Sequence, residues 1–335
     1  TDQRAAPKVI HFASMERAKP LLLACALLCV FSAARADDYP SKSLRLIVPF
    51  AAGGAVGAVA RVLSTPLSAG LGQSIVIDNR GGAGGIIGMD AVAKSPADGY
   101  TLLLVHSGLT YMPGLYRKLP FDPEKDFDGI VTAVSGSHAL AVSATSPFKT
   151  VAELIAHAKA NPGKLTYGSA GIGSTLHLAA EFFKRAAGVD ILHVPYKGAA
   201  QATTDLVGGQ VQMMFGPLVA IMPLAEAGQI RALAVTSAKR TALAPNVPTM
   251  IEIGIPGFEI STWYGLAAPA GTPKAAINKL NAETNRALKS PEVIGQFRIQ
   301  GYQPIGGTPD DMNTQIKGDV DRWTKIIRDA GIEPQ

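Results

Sequence analysis

Three glycine-rich segments hold the residues best placed to do chemistry: Ala51-Ala52-Gly53-Gly54, Gly81-Gly82-Ala83-Gly84-Gly85 and Gly168-Ser169-Ala170-Gly171-Ile172-Gly173-Ser174-Thr175. Each stands between an apolar, strand-like run and a helix-periodic segment. The N–H groups that open a helix have no intrahelical partner and sit at the positive end of its dipole, and glycine lets an anion approach them closely. Such loops hold a carboxylate or phosphate without a cationic side chain. One loop alone reads as a tight turn; three in series point to an anion. The expected ligand contacts are Ala51, Gly53 and Gly54 in the first, Ala83, Gly84 and Gly85 in the second, and Ser169, Gly173, Ser174 and Thr175 in the third. His177 follows the third loop, either as a donor to the anion or as a satisfied histidine on a buried helix turn. Tyr196 puts an aromatic ring beside Lys197 at another strand end. His106 and Ser107 end a further strand on the same side, and Ser107 is the better candidate of the two because it opens a loop.

Enzymatic machinery is hard to find. Gly82-Ala83-Gly84 is followed by Ile87 where the third glycine of a dinucleotide loop belongs, and there is no Gly-Lys-Ser/Thr of a phosphate loop. No serine has glycine two residues to each side, and His106, His138, His157, His177 and His193 show no metal-binding i, i+4 pairing. A hydrolase or transferase would use His177 with Ser174 or Ser169, but no acidic residue stands beside them to orient the imidazole. The expectation is a binder with no catalysis, cofactor or metal.

Strands alternate with helices along the chain, which predicts α/β architecture with mainly parallel sheets. Leu44 to Phe50 reads as a strand, Val56 to Leu71 as an apolar-periodic helix, and Ser74 to Asp78 as the next strand. A helix to Lys94 and the strand Tyr100 to His106 follow. Thr150 to Glu153 is a capping box for a helix that stops at Asn161-Pro162-Gly163, and Ile191 to Pro195 and Val211 to Phe215 are short buried strands. Thr272-Pro273, Ser290-Pro291 and Thr308-Pro309 each read as a hydroxyl cap with proline at the first helical position, giving a helical tail packed on the first lobe. No linker divides the chain, so two lobes would have to exchange strands, near Ala133 to His138 and Ser261 to Gly265.

The first 36 residues read differently. From Met15 a charged stretch leads into the apolar run Leu21 to Phe31 and then Ala34-Arg35-Ala36, a secretory signal with its predicted cut after Ala36. The run falls well short of the roughly 20 residues that span a bilayer. Cys25 and Cys29 both lie in it, so the mature chain has no thiol for a disulfide or a metal. Five of the 31 basic and two of the 26 acidic residues precede residue 37, which leaves the rest close to neutral without a basic cluster and excludes a nucleic-acid binder.

Taken in order, Tyr39-Pro40-Ser41-Lys42, Val48-Pro49-Phe50, Asn79 to Gly85, Asp98-Gly99-Tyr100-Thr101-Leu102, Leu119 to Asp122, Tyr167-Gly168-Ser169, His193 to Gly198, Arg231 to Thr236, Val247-Pro248-Thr249 and Ala268 to Pro273 form one pattern. It resembles the substrate-binding proteins of tripartite tricarboxylate transporters, the Bordetella uptake gene family, over essentially all of the mature chain. The resemblance implies a two-lobed periplasmic binding protein fold, type II-like, with two Rossmann-like open sheets joined by crossing strands. Lobe 1 would comprise residues 37–137 plus 264–335 and lobe 2 residues 138–263. It also implies a monomeric periplasmic receptor that takes a small carboxylate between the lobes and delivers it to the permease subunits. A receptor that signals instead would bind by the same chemistry. Family members often carry aspartate at position 57 and sometimes at position 216; both are glycine here. Without those anionic partners an ammonium group would be buried unpaired. The expected ligand is therefore a mono- or dicarboxylate without an amine, made bulkier or aromatic by the space the two glycines open.

Overall fold

The computed structural model describes Thr1, residues 39–50, Ala52, residues 55–196 and residues 198–334. The expected signal peptide and its cut after Ala36 lie outside the described residues, as do Ala51, Gly53, Gly54 and Lys197. The chain divides into two units, Thr1–Ser41 and Lys42–Gln335. In the first, the Tyr39–Pro40 peptide is cis. Every strand and helix below belongs to the second, and among the described residues no helix is long and apolar enough to cross a membrane.

In chain order the elements are β1 (Leu44–Val48), α1 (Ala55–Leu71), β2 (Ile75–Asn79), a 3-10 turn at Ala83–Gly85, α2 (Ile86–Ala93), β3 (Thr101–His106) and α3 (Gly108–Leu115). Next come β4 (Phe127–Ser143), α4 (Val151–Ala160), β5 (Thr166–Ser169), α5 (Thr175–Ala187), β6 (Leu192–Pro195) and α6 (Ala199–Val207). The chain ends with β7 (Met213–Pro217), α7 (Leu218–Glu226), β8 (Ile230–Val235), β9 (Ser261–Pro269), α8 (Lys274–Leu288), α9 (Pro291–Ile299), β10 (Gln303–Pro304) and α10 (Pro309–Asp329).

Local pattern accounts for most of these. In α1, Val56, Val59, Ala60, Leu63 and Leu67 recur at helical spacing and are buried. The apolar run of β3 is buried because the strand lies inside the sheet, between parallel β1 and antiparallel β9, with α1 and α2 packed against it. Thr150 caps α4 by accepting from the Glu153 N–H; Glu153 reaches back to Lys149 rather than to the cap itself. At Thr308 the full reciprocal box with Asp311 forms. The expected cap at Thr272 does not: α8 starts at Lys274, and the Thr272 hydroxyl donates to the Pro269 carbonyl instead. Ser290 precedes Pro291 at the start of α9 without a side-chain cap.

The strands run in the order β2-β1-β3-β9-β4-β7-β5-β6, with β8 and β10 also on β4. Strand β4 ties two halves together. From Phe127 to Ser137 it pairs with β9, and from His138 onward with β7 and β8, so it changes partners inside the stretch where a crossing was expected. Helix α10 joins the halves a second time. Its Met312, Ile316 and Val320 sit in the core under β1, β3 and β9, whereas Trp323, Ile326 and Ile327 sit in the core around β5, β7 and α5. The tail therefore packs on both halves, and not on the first alone.

Candidate functional site

A cavity of about 630 Å³ opens where the two halves of the sheet meet. A recess of about 170 Å³ adjoins it and shares His138, Pro217, Thr262 and Tyr264. The strand register brings these walls together: His106 on β3 stands opposite Tyr264 on β9, and His138 on β4 opposite Pro217 on β7.

Five helix beginnings face this cavity: α1 through Val56, α2 through Gly84 in the preceding turn, α3 through Gly108, α5 through Ser174, Thr175 and Leu176, and α7 through its cap residue Pro217. Helix geometry leaves the first N–H groups of each without an intrahelical partner and adds the positive end of its dipole. Among the described residues no Asp, Glu, Lys or Arg lines the cavity, and no group of three His, Cys, Asp or Glu converges as a metal site. Its remaining wall is aromatic and aliphatic, with Phe50, Tyr111, Met112, Leu115, Tyr116, Ile172 and Tyr264. A second cavity of about 600 Å³ lies at the starts of α8 and α10; its wall carries Lys274 but also Asp128 and Asp310, a net negative charge that disfavours an anion.

The third glycine loop is held by hydrogen bonds of its own. Ser174 caps α5, accepting from the His177 N–H and donating to the Gly171 carbonyl over 2.7 Å. Gly173, at φ 77°, occupies backbone space open to glycine, and a Cβ there would come within 3.0 Å of Leu115 across the cavity. Gly173, Ser174 and Thr175 line the cavity as expected from the loop sequence. In the second loop Gly84 lines it; exposed Ala83, at φ 47°, and buried Gly85, packed near Phe50 and Met89, support the turn from outside the wall.

Four sequence candidates lie behind the wall instead. Ser169 is fully buried, its hydroxyl 2.6 Å from His193 Nε2. His177 accepts from the Gly173 N–H at Nδ1 (3.1 Å) and stacks on His193 with ring centroids 4.2 Å apart, so it serves as the buried histidine and not as the donor. The Tyr196 hydroxyl donates to Asp205 over 2.7 Å. Ser107 stands at the start of α3 rather than opening a loop, and its buried hydroxyl lies toward Tyr111 and does not cap the helix. The one serine–histidine pair, Ser169–His193, is sealed from the cavity, and the Ser174 hydroxyl meets the backbone of His177 and not its ring. A hydroxyl and an imidazole do meet on the cavity wall, Thr262 with His138, but no group holds the far nitrogen of that ring as a catalytic pair requires.

Tyr111, His138 and Tyr264 were not among the expected contacts, and His106 was the weaker candidate beside Ser107; all four line the cavity. Burial pushes both His106 and His138 down to about 4, so each ring is neutral at physiological pH. His138 Nε2 pairs with the Thr262 hydroxyl at 3.1 Å, and its Nδ1 is buried without a partner. Burial first, then the neighbouring Tyr302, raises the Tyr264 hydroxyl well above its ordinary value. Gly216 does not widen the cavity, because a Cβ there would meet Ile221 at 2.7 Å; a Cβ at 57 would sit in ordinary contact with the Arg61 guanidinium at 3.5 Å.

Comparison with known proteins identifies the family and the fold. The family model described as tripartite tricarboxylate transporter family receptor matches residues 59–332. BugT of Bordetella pertussis is 40% identical over 299 residues, covering 88% of this chain and 91% of that protein. Rpa4515 of R. palustris, solved with adipate, has a TM-score of 0.75 at 40% identity and covers 89% of this chain and 100% of its own. MatC of Rhodopseudomonas palustris, solved with malate, has a TM-score of 0.71 at 31% identity, covering 86% and 100%. The α/β fold is thus that of the periplasmic solute-binding proteins, and the chain is a solute receptor and not an enzyme. It belongs to the receptor family of the tripartite tricarboxylate transporters.

Proposed function

We propose that this receptor captures a small carboxylate without an amine and delivers it to the permease subunits of a tripartite tricarboxylate transporter. The convergence of the beginnings of α1, α2, α5 and α7 on a cavity with no charged side chain among its described lining residues carries the reading; at α3 the first N–H is taken by His106. An anion finds unpaired N–H groups there, whereas an ammonium group would find no carboxylate, which costs several kcal/mol. That relatives of similar fold were solved with adipate and malate supports a carboxylate class.

In this proposal Ala51, Gly53 and Gly54 join Gly84, Gly173, Ser174 and Thr175 around the carboxylate. Residues 37–137 with 264–335 move against residues 138–263 about β4 and β9, and closure creates the shape the permease reads. The protein is exported, cut after Ala36, and works as a monomer in the periplasm.

Thermal unfolding against mono-, di- and tricarboxylates and amino acids tests it. Ligand at about 100 times its dissociation constant stabilises by about 2.7 kcal/mol. A shift with one carboxylate class supports the reading; a shift with free amino acids alone, or with none of the panel, refutes it.

A further inference from the structure

Two stacked imidazoles lie behind the third glycine loop and hold it at two points. Nδ1 of His177 accepts from the Gly173 N–H over 3.1 Å. Nε2 of His193 lies 2.6 Å from the Ser169 hydroxyl, which accepts from the Gly171 N–H over 3.1 Å. The two rings stack with centroids 4.2 Å apart, and the Tyr167 ring stacks on His193 at 4.7 Å. Neither histidine lines the cavity, whereas Gly173 does, so both act on a ligand only through the loop.

The bond to Gly173 fixes where His177 can take a proton. A nitrogen that accepts from a backbone N–H carries none, so the single proton of the neutral ring is on Nε2. A second proton has only Nδ1 to go to. Charging the ring and holding Gly173 are therefore mutually exclusive: the proton occupies the nitrogen, and the Gly173 N–H loses its acceptor. The surroundings set how readily this happens. Among the described residues Glu181 and Lys184 on α5 and Tyr167 on β5 face the pair, and no charged side chain faces it from the cavity. Glu181 accepts from the Tyr167 hydroxyl over 2.6 Å and from Lys184 over 2.9 Å, so its charge is already engaged. Burial lowers His177, with Glu181 opposing and Lys184 assisting; burial and then His177 bring His193 down to about 4, again with Glu181 opposing and Lys184 assisting.

We infer that His177 and His193 are a proton-sensitive positioning pair for the ligand loop: neutral, they keep Gly173 to Thr175 in the form that meets a carboxylate, and a proton on His177 releases Gly173 and weakens capture. The inference rests on the carboxylate-receptor reading above and adds a control on it. Capture needs the proton-free Nδ1, so affinity is full above about pH 6.5 and falls as pH drops below that. By the same linkage, capture in acid expels a proton from the ring. His193 contributes through the stack, because a charge on either ring disfavours a charge on the other.

Titration calorimetry with adipate and with malate, from pH 7.5 to pH 4.5, tests it in the wild type and in His177→Asn. Asparagine offers Gly173 an acceptor oxygen that cannot take up a proton in this range, and protonation of the ligand itself affects both proteins alike. Between the two ends of the range the wild type is expected to lose about two- to tenfold more affinity than His177→Asn, the worth of one hydrogen bond. His177→Phe, which has no acceptor, is expected to bind more weakly than the wild type at pH 7.5 and to lack the extra loss in acid. Imidazole ¹⁵N shifts of the ligand-free protein are expected to place the His177 proton on Nε2 at pH 7.5, and the Gly173 amide resonance is expected to move with the charging of that ring.

Equal loss of affinity in the wild type and His177→Asn overturns the inference while the receptor reading stands. A proton on Nδ1 of His177 at pH 7.5, or a Gly173 amide that ignores the charging of the ring, also overturns it. Failure of the wild type to bind either ligand at pH 7.5 tells against the receptor reading, and the spectra, which need no ligand, then decide whether the pair controls the loop.

Discussion

The backbone N–H of Gly173 donates to Nδ1 of His177 over 3.1 Å, so the loop that faces the cavity is held by a histidine behind it. His177→Phe keeps the ring stack on His193 but removes the acceptor. Losing this half-buried hydrogen bond costs about 0.5–1.5 kcal/mol. A urea midpoint lowered by that amount, with weaker carboxylate binding, is expected; an unchanged midpoint would show that the bond does not hold the loop.

Acid should destabilise the protein through its histidines. His106, His138 and His193 are pushed by burial from 6.5 to about 4, and burial lowers His177 as well, with Glu181 opposing and Lys184 assisting. The folded form keeps these rings neutral, while the unfolded chain takes up protons from about pH 6.5 downward. Stability is thus complete above 6.5 and is lost progressively as pH falls toward about 4. The thermal midpoint followed from pH 7.5 to 4.5 should fall steadily, and replacing one of these histidines should flatten the slope.

Gly108→Ala should turn the His106 imidazole away from the helix end, because the new methyl overlaps the ring. Overpacking of this kind costs about 1–3 kcal/mol. Denaturant unfolding measures the loss, and imidazole ¹⁵N shifts should show the Nδ1 acceptor released. A variant with wild-type stability and an unchanged His106 tautomer would contradict the geometry.

Gly57→Asp would place a carboxylate in the first turn of α1, next to Val56 on the cavity wall and four residues before Arg61. Pairing of the new carboxylate with Arg61, together with the helix dipole, should hold fold stability within about 0.5 kcal/mol. Like-charge repulsion at an effective dielectric near 20 should weaken carboxylate binding about tenfold. Calorimetry with adipate checks this; unchanged affinity would place the ligand away from the start of α1.

The elements written in local pattern were legible. The helix over Ala55–Leu71 and the strands at β1 and β3 lie within two residues of their expected bounds, because apolar periodicity and unbroken apolar runs need no distant partner. Helix α3 was not legible. Gly108, Pro113 and Gly114 disfavour a helix, and it forms because His106 caps it and Leu109, Tyr111 and Met112 are buried by other elements. The site divides along the same line. Gly84, Gly173, Ser174 and Thr175 were readable from their loops, whereas His106 beside Tyr264 and His138 beside Pro217 exist only through strand register. His177 misled because Gly173, four residues before it, offered a nearer partner than any ligand.

The edge-on contact between Tyr111 and Trp323, with ring centroids 4.8 Å apart, gives the protein an optical reporter of its own. Only two tryptophans occur in the chain, and the other, Trp263, is buried in β9 with its indole N–H donated to Asp319. Whatever displaces the Tyr111 ring on the cavity wall alters the surroundings of a fluorophore on α10. Filling of the cavity can therefore be followed by intrinsic emission in unlabelled protein, and Trp263→Phe isolates the signal of Trp323.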